Sequence, residues 1–391
     1  MNIFFSADYV VPVTDRMIRN GVVEVTEDGI IAGVYEPEHP HLSGKEINRQ
    51  KGMIVPGFVN AHCHLELSHM AGMIPKHTGL VSFLQQVMFT RAADEDRIQQ
   101  AMQAADKQLY DNGIVAVGDH ANTAISAAIK SKSNIYYHTF LEVLGFEPEI
   151  AHQKLKEARQ TVQLFTRDTA SITAHAPYSV SKELFRLLSE EAVQQGYILS
   201  VHNQESKEEN RLFRYKSGQF LDFYRVLGKD ISGFKAQARN SIQTFLPYLS
   251  SDVPVLLVHN TFTSAKDIFF VERQGRSVSW CFCPNANLYI EKGLPKIGNF
   301  LTYRHPITLG TDSLASNDRL CILSELKTLH THFPELPFSE TIKWATLNGA
   351  EFLGIAEKYG SLEVGKAPGL NLLSSVSDAG ITPDTEVTRL I

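Results

Sequence analysis

Two histidines one residue apart, His62 and His64, close the apolar run at 53–60. Alternate side chains of a strand share one face, so both imidazoles present together while Cys63 points away. Three later apolar runs end in groups of the same kind: His202 with Glu205 three residues on, His259 before Asn260, and Asp312 after Gly310 and Thr311. A lone HxH is weak, because packed or surface histidines are common. Four matching run ends are a different matter. Three neutral imidazoles and a carboxylate suit Zn2+, with Fe2+ or Mn2+ as alternatives. The expected metal ligands are His62, His64, His202 and Asp312, and the chemistry is hydrolysis by a water that a divalent metal activates near neutral pH.

The rest of the composition narrows the class. The chain has 391 residues, with 37 Lys and Arg against 43 Asp and Glu, a formal charge of −6. Phosphate binding needs clustered positive charge, so no nucleic-acid or anionic-membrane partner is expected and a small-molecule substrate is. Cys63, Cys281, Cys283 and Cys321 form no CxxC pair, and so few cysteines make no disulfide scaffold. No window approaches a membrane span, and the opening MNIFFSADYVV carries Asp8 and no basic leader. A cytoplasmic enzyme is the expectation.

These groups need a frame that brings distant run ends together. Apolar runs at 53–60, 114–118, 135–141, 171–175, 197–202, 253–259, 277–283 and 306–311 read as strands buried on both faces. Amphipathic stretches at 149–166, 181–195 and 318–333 read as helices between them, with Ser181 and Asn317 as N-caps. Eight strands alternating with helices predict a (β/α)8 TIM barrel, whose strand C-termini form the catalytic face. Residues 1–50 and 355–391 are turn-rich β-like text, and the expectation is one small β-sandwich built from both termini around a barrel at 51–354. The stretch 216–240 is too long for an ordinary connection and reads as a pocket wall or lid. Within it Phe220, Phe223 and Tyr224 read as packing residues, and Lys207, Glu208 and Glu209 before it as a solvated helix face.

The motifs VPGFVNAHCHLELS, HAPYSVS, VHNQE, LVHN, CPNANL and LGTDSLASN together resemble the amidohydrolase superfamily. Within it they resemble the aminohydrolase branch of adenosine, S-adenosylhomocysteine and guanine deaminases and triazine chlorohydrolases. The form HxHLE followed by Leu67 and Ser68 is most similar to the aminodeoxyfutalosine deaminases. The resemblance implies the barrel and sandwich, a homo-oligomer and hydrolysis of a non-peptide C–N bond. Dinuclear relatives carry a bridging carboxylated lysine where this chain has His175, so one metal ion is implied. CPNANL, where relatives usually have Ser before the Asn, departs near a presumed pocket floor at Asn285 and Asn287.

The reaction then expected is deamination of an adenine-type nucleoside or related aminopurine by a metal-bound hydroxide. Asp312 doubles as ligand and proton acceptor, His259 orients the water, and Glu205 carries a proton to a ring nitrogen. Glu66, His175 and Asn287 are the candidate substrate-binding residues, a buried ion pair being the rival role for Glu66. Asp119, His120 and Glu142 read as orienting or structural groups, and His69 and His77 as loop residues without a role. Arg211, Arg214 and Arg225 are the cations nearest in sequence for an acidic substrate. Two rivals keep the site but change the outcome: a chlorohydrolase or cyclic amidohydrolase acting on a triazine-like heterocycle, or a non-catalytic metal-binding barrel.

Overall fold

The apolar run at 53–60 is two strands and not one. Met53–Pro56 pairs with Tyr9–Val10 and Leu370–Ser374, whereas Phe58–Cys63 pairs with Ile114–Ala121. Gly57 makes the break because only a residue without a Cβ fits there: a Cβ would stand 2.2 Å from Val115 Cγ1 and 2.6 Å from the Pro368 carbonyl. The computed structural model describes residues 2–166, 169–377 and 380–391.

Eight parallel strands follow, named here β1 (Phe58–Cys63), β2 (Ile114–Ala121), β3 (Tyr136–Val143), β4 (Ala170–Ala174), β5 (Leu199–Asn203), β6 (Val255–His259), β7 (Val278–Phe282) and β8 (Ile307–Leu309). They form two four-stranded sheets, β1 to β4 and β5 to β8, each in chain order. The helices that matter to the site are α1 (Leu80–Thr90), α2 (Ala151–Val162), α3 (Lys182–Gln195), α4 (Lys207–Tyr215), α5 (Gln219–Val226), α6 (Pro284–Glu291) and α7 (Ile322–His332). Ser181 caps α3 as its position predicts, its side chain accepting from Leu184 N. Asn317 does not cap α7. That helix begins at Ile322, and the Asn317 amide instead donates to Thr311 O and Glu325 Oε1.

Polar side chains stitch both seams between the two sheets. At one, Thr173 Oγ1 donates to Ser200 O at 2.8 Å and accepts from Ser200 N at 3.0 Å, and His202 N reaches His175 O at 3.0 Å. At the other, Asn60 donates to Thr311 Oγ1 at 2.8 Å and accepts from Thr311 N at 3.0 Å, while Thr311 N and Asp312 N both approach His62 O at 3.0 Å. Each seam therefore lies directly beneath two of the residues expected to do chemistry. Apolar side chains from the strands and surrounding helices fill a continuous core around the sheets.

Both termini build two further sheets. One orders Ile31–Tyr35, Val22–Val25, Ile3–Ser6 and Ile47–Arg49; the other orders Glu386–Arg389, Leu370–Ser374, Met53–Pro56, Tyr9–Val10 and Ile18–Arg19. Phe5, Val23 and Ile31 of the first share a buried cluster with Ile54, Leu370 and Leu372 of the second. No helix among the described residues is long and apolar enough to cross a membrane.

Truncating Asn60 would remove the side-chain bonds of this seam, leaving Thr311 N with His62 O alone and the Thr311 hydroxyl with Asp312 O alone. Asn60→Ala is expected to lower the unfolding free energy by about 1–3 kcal/mol, read by denaturant titration. A loss under about 0.5 kcal/mol would show that the seam closes on its backbone bonds alone.

Candidate active site

Strand ends β1, β5 and β6 and the turn after β8 deliver His62, His64, His202, His259 and Asp312 to one point. The ring nitrogens of His62, His64, His120 and His202 lie within 4.8 Å of one another, as do those of His62 and His259 with the Asp312 carboxylate. His64 Nε2 faces His202 Nε2 at 3.2 Å, and Asp312 Oδ1 stands 3.5 Å from His62 Nε2 and 3.6 Å from His64 Nε2. Donors about 2.0–2.1 Å from a tetrahedral zinc are about 3.3 Å apart, so these spacings fit one cation. Both ring nitrogens of His62 are buried and lack a hydrogen-bond partner, an arrangement a ligand would satisfy. Three of these turns hold non-glycine residues at positive φ: Gln204 at 46°, His259 at 73° and Asp312 at 58°. Strain of this kind gathers where a fold over-determines a functional group. Gly310 permits the approach of β8, because a Cβ there would stand 2.6 Å from His62 Cβ.

The neighbours decide which nitrogens stay free. His202 Nδ1 donates to His175 O at 2.8 Å, which leaves Nε2 its lone pair. His120 sits within the cluster, but its Nδ1 donates to Glu142 Oε1 and its Nε2 pairs with Ser200 Oγ, both at 2.8 Å. It has no nitrogen left for a metal. Glu142 also accepts from Asn122 and lies 3.4 Å from His202 Nδ1. Asp119 accepts from Leu65 N and pairs with Lys130, fixing the turn just after His64. Ser316 donates to Asp312 Oδ2 at 2.6 Å, so Oδ1 remains the open oxygen.

Burial lowers the pKa values of His62, His64, His202 and His259, which keeps the imidazoles neutral and able to ligate. Two of the cavity's carboxyls, Asp312 and Glu205, diverge. Burial would raise Asp312, but His62, His64 and His259 overcome it and hold the group well below the usual carboxylate range. Burial pushes Glu205 well above that range, with the charge of Asp312 adding to the effect. Glu205 is 4% exposed, its carboxyl makes no hydrogen bond with any described residue, and its Oε2 lies 3.7 Å from His259 Nε2.

Asn287 and Glu66 do not face the cavity, contrary to the sequence expectation. Asn287 Oδ1 accepts from His259 Nδ1 at 2.9 Å and its amide reaches back to His259 O, so it orients that ring. Glu66 is saturated by Arg91 at 2.9 Å, Asn122 N, Thr123 N and the Thr123 hydroxyl, which is the ion-pair alternative. His175 does line the cavity, its Nδ1 paired with Ser179 Oγ. The cavity of about 390 Å3 runs from His64, Glu205 and Asp312 outward between Phe83, Leu84 and Val87 of α1 and Phe223, Tyr224 and Leu227 at α5. The insertion thus forms a wall, and Phe220, Phe223 and Tyr224 are buried packing residues.

Arg211, Arg214 and Arg225 turn away to Glu208, Asn240 and Asp222. The cations on the cavity are Arg91, Lys154 and Lys229, brought there by helix ends and loops that carry no motif. His69 is no idle loop residue, since its ring bridges Glu66 O and Arg91 O.

The amidohydrolase family model matches residues 53–391, the whole segment that carries the eight strands and the site. The chain belongs to the amidohydrolase family. An adenosine deaminase of Helicobacter pylori is 28% identical over 346 residues, covering 86% of this chain and 81% of that protein. The crystal structure of an aminofutalosine deaminase of the same organism, bound to methylthio-coformycin, superposes over 100% of both chains with a TM-score of 0.84 at 22% identity. A zinc-bound adenosine deaminase of Xanthomonas campestris gives a TM-score of 0.71 at 21% identity, over 95% of this chain and 84% of that one.

In this amidohydrolase the loop bearing Asp312 is anchored from behind by Glu325 on α7. Glu325 is fully buried and accepts from Asn285 N, Asn285 Nδ2 and Asn317 Nδ2, while Asn317 also holds Thr311 O. Asn285 is therefore part of this anchor and not of the pocket floor. Burial pushes Glu325 from the usual 4.5 up to about 8, against the pull of those hydrogen bonds. The folded chain keeps a proton that the unfolded chain releases. Stability from this group is thus complete below the unfolded value and falls as pH rises toward the folded one, by up to about 1.4 kcal/mol per unit. Glu325→Gln is expected to flatten that fall between about pH 5 and 8, measured as unfolding free energy against pH. Parallel curves for the two proteins would show Glu325 ionised in the fold.

Proposed function

We propose that this chain is a metal-dependent hydrolytic deaminase that exchanges the exocyclic amine of an adenine-type nucleoside, or a related aminopurine, for oxygen. The observation that carries the reading is Glu205: a buried carboxyl with no hydrogen bond to any described residue, on the same cavity as a cluster of neutral imidazoles and an ionised aspartate. A structural metal site has no use for such a group. The relatives named as adenosine deaminases and the likeness to an aminofutalosine deaminase support the substrate class.

His62, His64, His202 and Asp312 would hold one divalent ion. Zinc is the favoured identity, on the nitrogen-rich donor set and the zinc in a similar structure. A divalent ion in this position supplies a Lewis acid that makes water nucleophilic near neutral pH. The residues do the rest. Glu205, kept protonated by burial, gives its proton to the ring nitrogen beside the amine-bearing carbon, which makes that carbon electrophilic. Asn287 Oδ1 accepts a hydrogen bond from His259 Nδ1–H, which keeps the proton on Nδ1, so Nε2 meets the attacking water with a lone pair. Asp312 accepts the water's proton and returns it to the departing amine, while the adduct's hydroxyl gives its proton back to Glu205 as the C=O forms, so the amine leaves as ammonia. Water is consumed and no charge is left behind. The wall of α1 and α5 keeps bulk water from the adduct.

We also read the two stitched sheets as one closed (β/α)8 barrel and the two terminal sheets as a β-sandwich. Gly57 divides them in place of residue 50, because Met53–Pro56 pairs with terminal strands.

Glu205→Gln is expected to retain metal by elemental analysis and lose about 10^2–10^4-fold in kcat, followed by ammonia release from adenosine and its 5′-substituted analogues. Chelation should abolish wild-type release and added Zn2+ restore it. Chloride release from a chlorotriazine without ammonia release from any aminopurine would overturn the reading.

A further inference from the structure

Four residues beyond Glu205 lies a carboxyl that the proposed reaction leaves unused. Glu209 is on α4 in a charged run whose pattern suggests a solvated face, yet it is 0% exposed. Its Oε1 accepts from Gln204 N at 3.0 Å. This bond does not serve the helix, because Ser206 already caps α4 with its hydroxyl on Glu208 N. It serves the turn in front of it, where Gln204 is held at φ 46°. The Gln204 side chain is gripped as well, its amide donating to Asn210 Oδ1 at 2.9 Å and Asp267 Oδ2 at 3.3 Å. Beyond β5, therefore, both the backbone and the side chain of the residue before Glu205 are tied down.

A buried carboxyl is a costly way to supply an acceptor, and one that stays must be matched to its place. Here that place is the peptide that aims Glu205 into the cavity. Burial pushes Glu209 up to about 7, so the group changes charge near neutrality, while Oε1 can accept in either state. The Tyr178 hydroxyl and Glu209 Oε2 are both buried without a partner. Burial raises the Tyr178 phenol first, and the charges of Glu205 and Glu209 add to it.

We infer that Glu209 is a positioning residue for Glu205: a buried acceptor that holds the Gln204 N–H in the strained turn and so sets where the Glu205 carboxyl points. The inference rests on the reading of Glu205 as the proton carrier. Its role lies in the acceptor oxygen and not in the charge.

Kinetics, metal content and thermal melting of E209A, E209Q and E205Q test it. E209A is expected to lose about 10^2-fold in kcat through misplacement of the proton carrier, with KM and metal content unchanged. E209Q, which keeps an acceptor oxygen at the same reach, should recover most of that loss. E209A with wild-type kcat would overturn the proposal, as would E209A losing metal along with activity, or E209Q as impaired as E209A. If E209A does not fold, E209D, whose shorter side chain withdraws the acceptor, takes its place under the same criteria. An E205Q enzyme with normal turnover overturns the reading of Glu205 and this proposal together. An inactive E205Q beside an unaffected E209A overturns only the proposal.

Discussion

A buried imidazole can bind a cation only while its lone pair is unspent, and a protein interior is full of donors that would spend it. That constraint organises the site. His202 has one nitrogen occupied by the His175 carbonyl, and Asp312 has one oxygen occupied by Ser316, so each is left with a single open atom facing the same point. His120 shows the opposite outcome, with both nitrogens engaged and none available although it stands among the others. The orphaned nitrogens of His62 complete the contrast. The hydrogen bonds behind each ring and carboxylate thus select the ligands by what they leave over.

The same requirement explains where the sheet is reinforced. Four donors from two strand ends and a turn must meet within a few ångströms, yet they straddle both seams between the two sheets. Thr173 with Ser200 at one seam, and Asn60 with Thr311 at the other, add side-chain bonds where the strand ladders are broken. Glu325 then braces the Asp312 loop from outside, through Asn285 and Asn317. Rigidity is concentrated under the donors, whereas the outer cavity is walled by apolar side chains of α1 and α5, whose packing is less directional.

How much of this was legible in sequence depended on whether a residue's role came from its own strand or from a distant partner. The parallel strands stood out because burial on both faces makes them continuous apolar runs, and the ligands because they end those runs. The break at Gly57 was hidden, since two buried strands joined without a polar turn read as one. Glu66 continues the alternation of 62 and 64, but the helical turn at Leu65–Met70 ends the strand and hands its carboxylate to Arg91. Asn317 resembled an N-cap until the tertiary fold offered it Glu325 and Thr311. Glu209 read as solvated because Glu208 and Lys207 beside it do face outward, and only the turn packed against it reveals the difference. Arg91 carried no signal at all: its place on the cavity follows from how α1 docks.

Two carboxyls in one cavity with opposite pKa shifts divide the labour of acid and base. The separation comes from burial at Glu205 and from the imidazoles at Asp312, with the charge of Asp312 acting on Glu205. Asp312 stays ionised because three imidazoles surround it, and its negative charge is then among the influences that keep Glu205 protonated. Moving Asp312 away from the imidazoles would weaken both shifts, since its charge adds to what burial does to Glu205. A proton carrier poised this way needs a fixed address, with no hydrogen bond of its own to hold the carboxyl. The backbone must supply what the side chain lacks, which is why the strained turn before Glu205 is tied on every side.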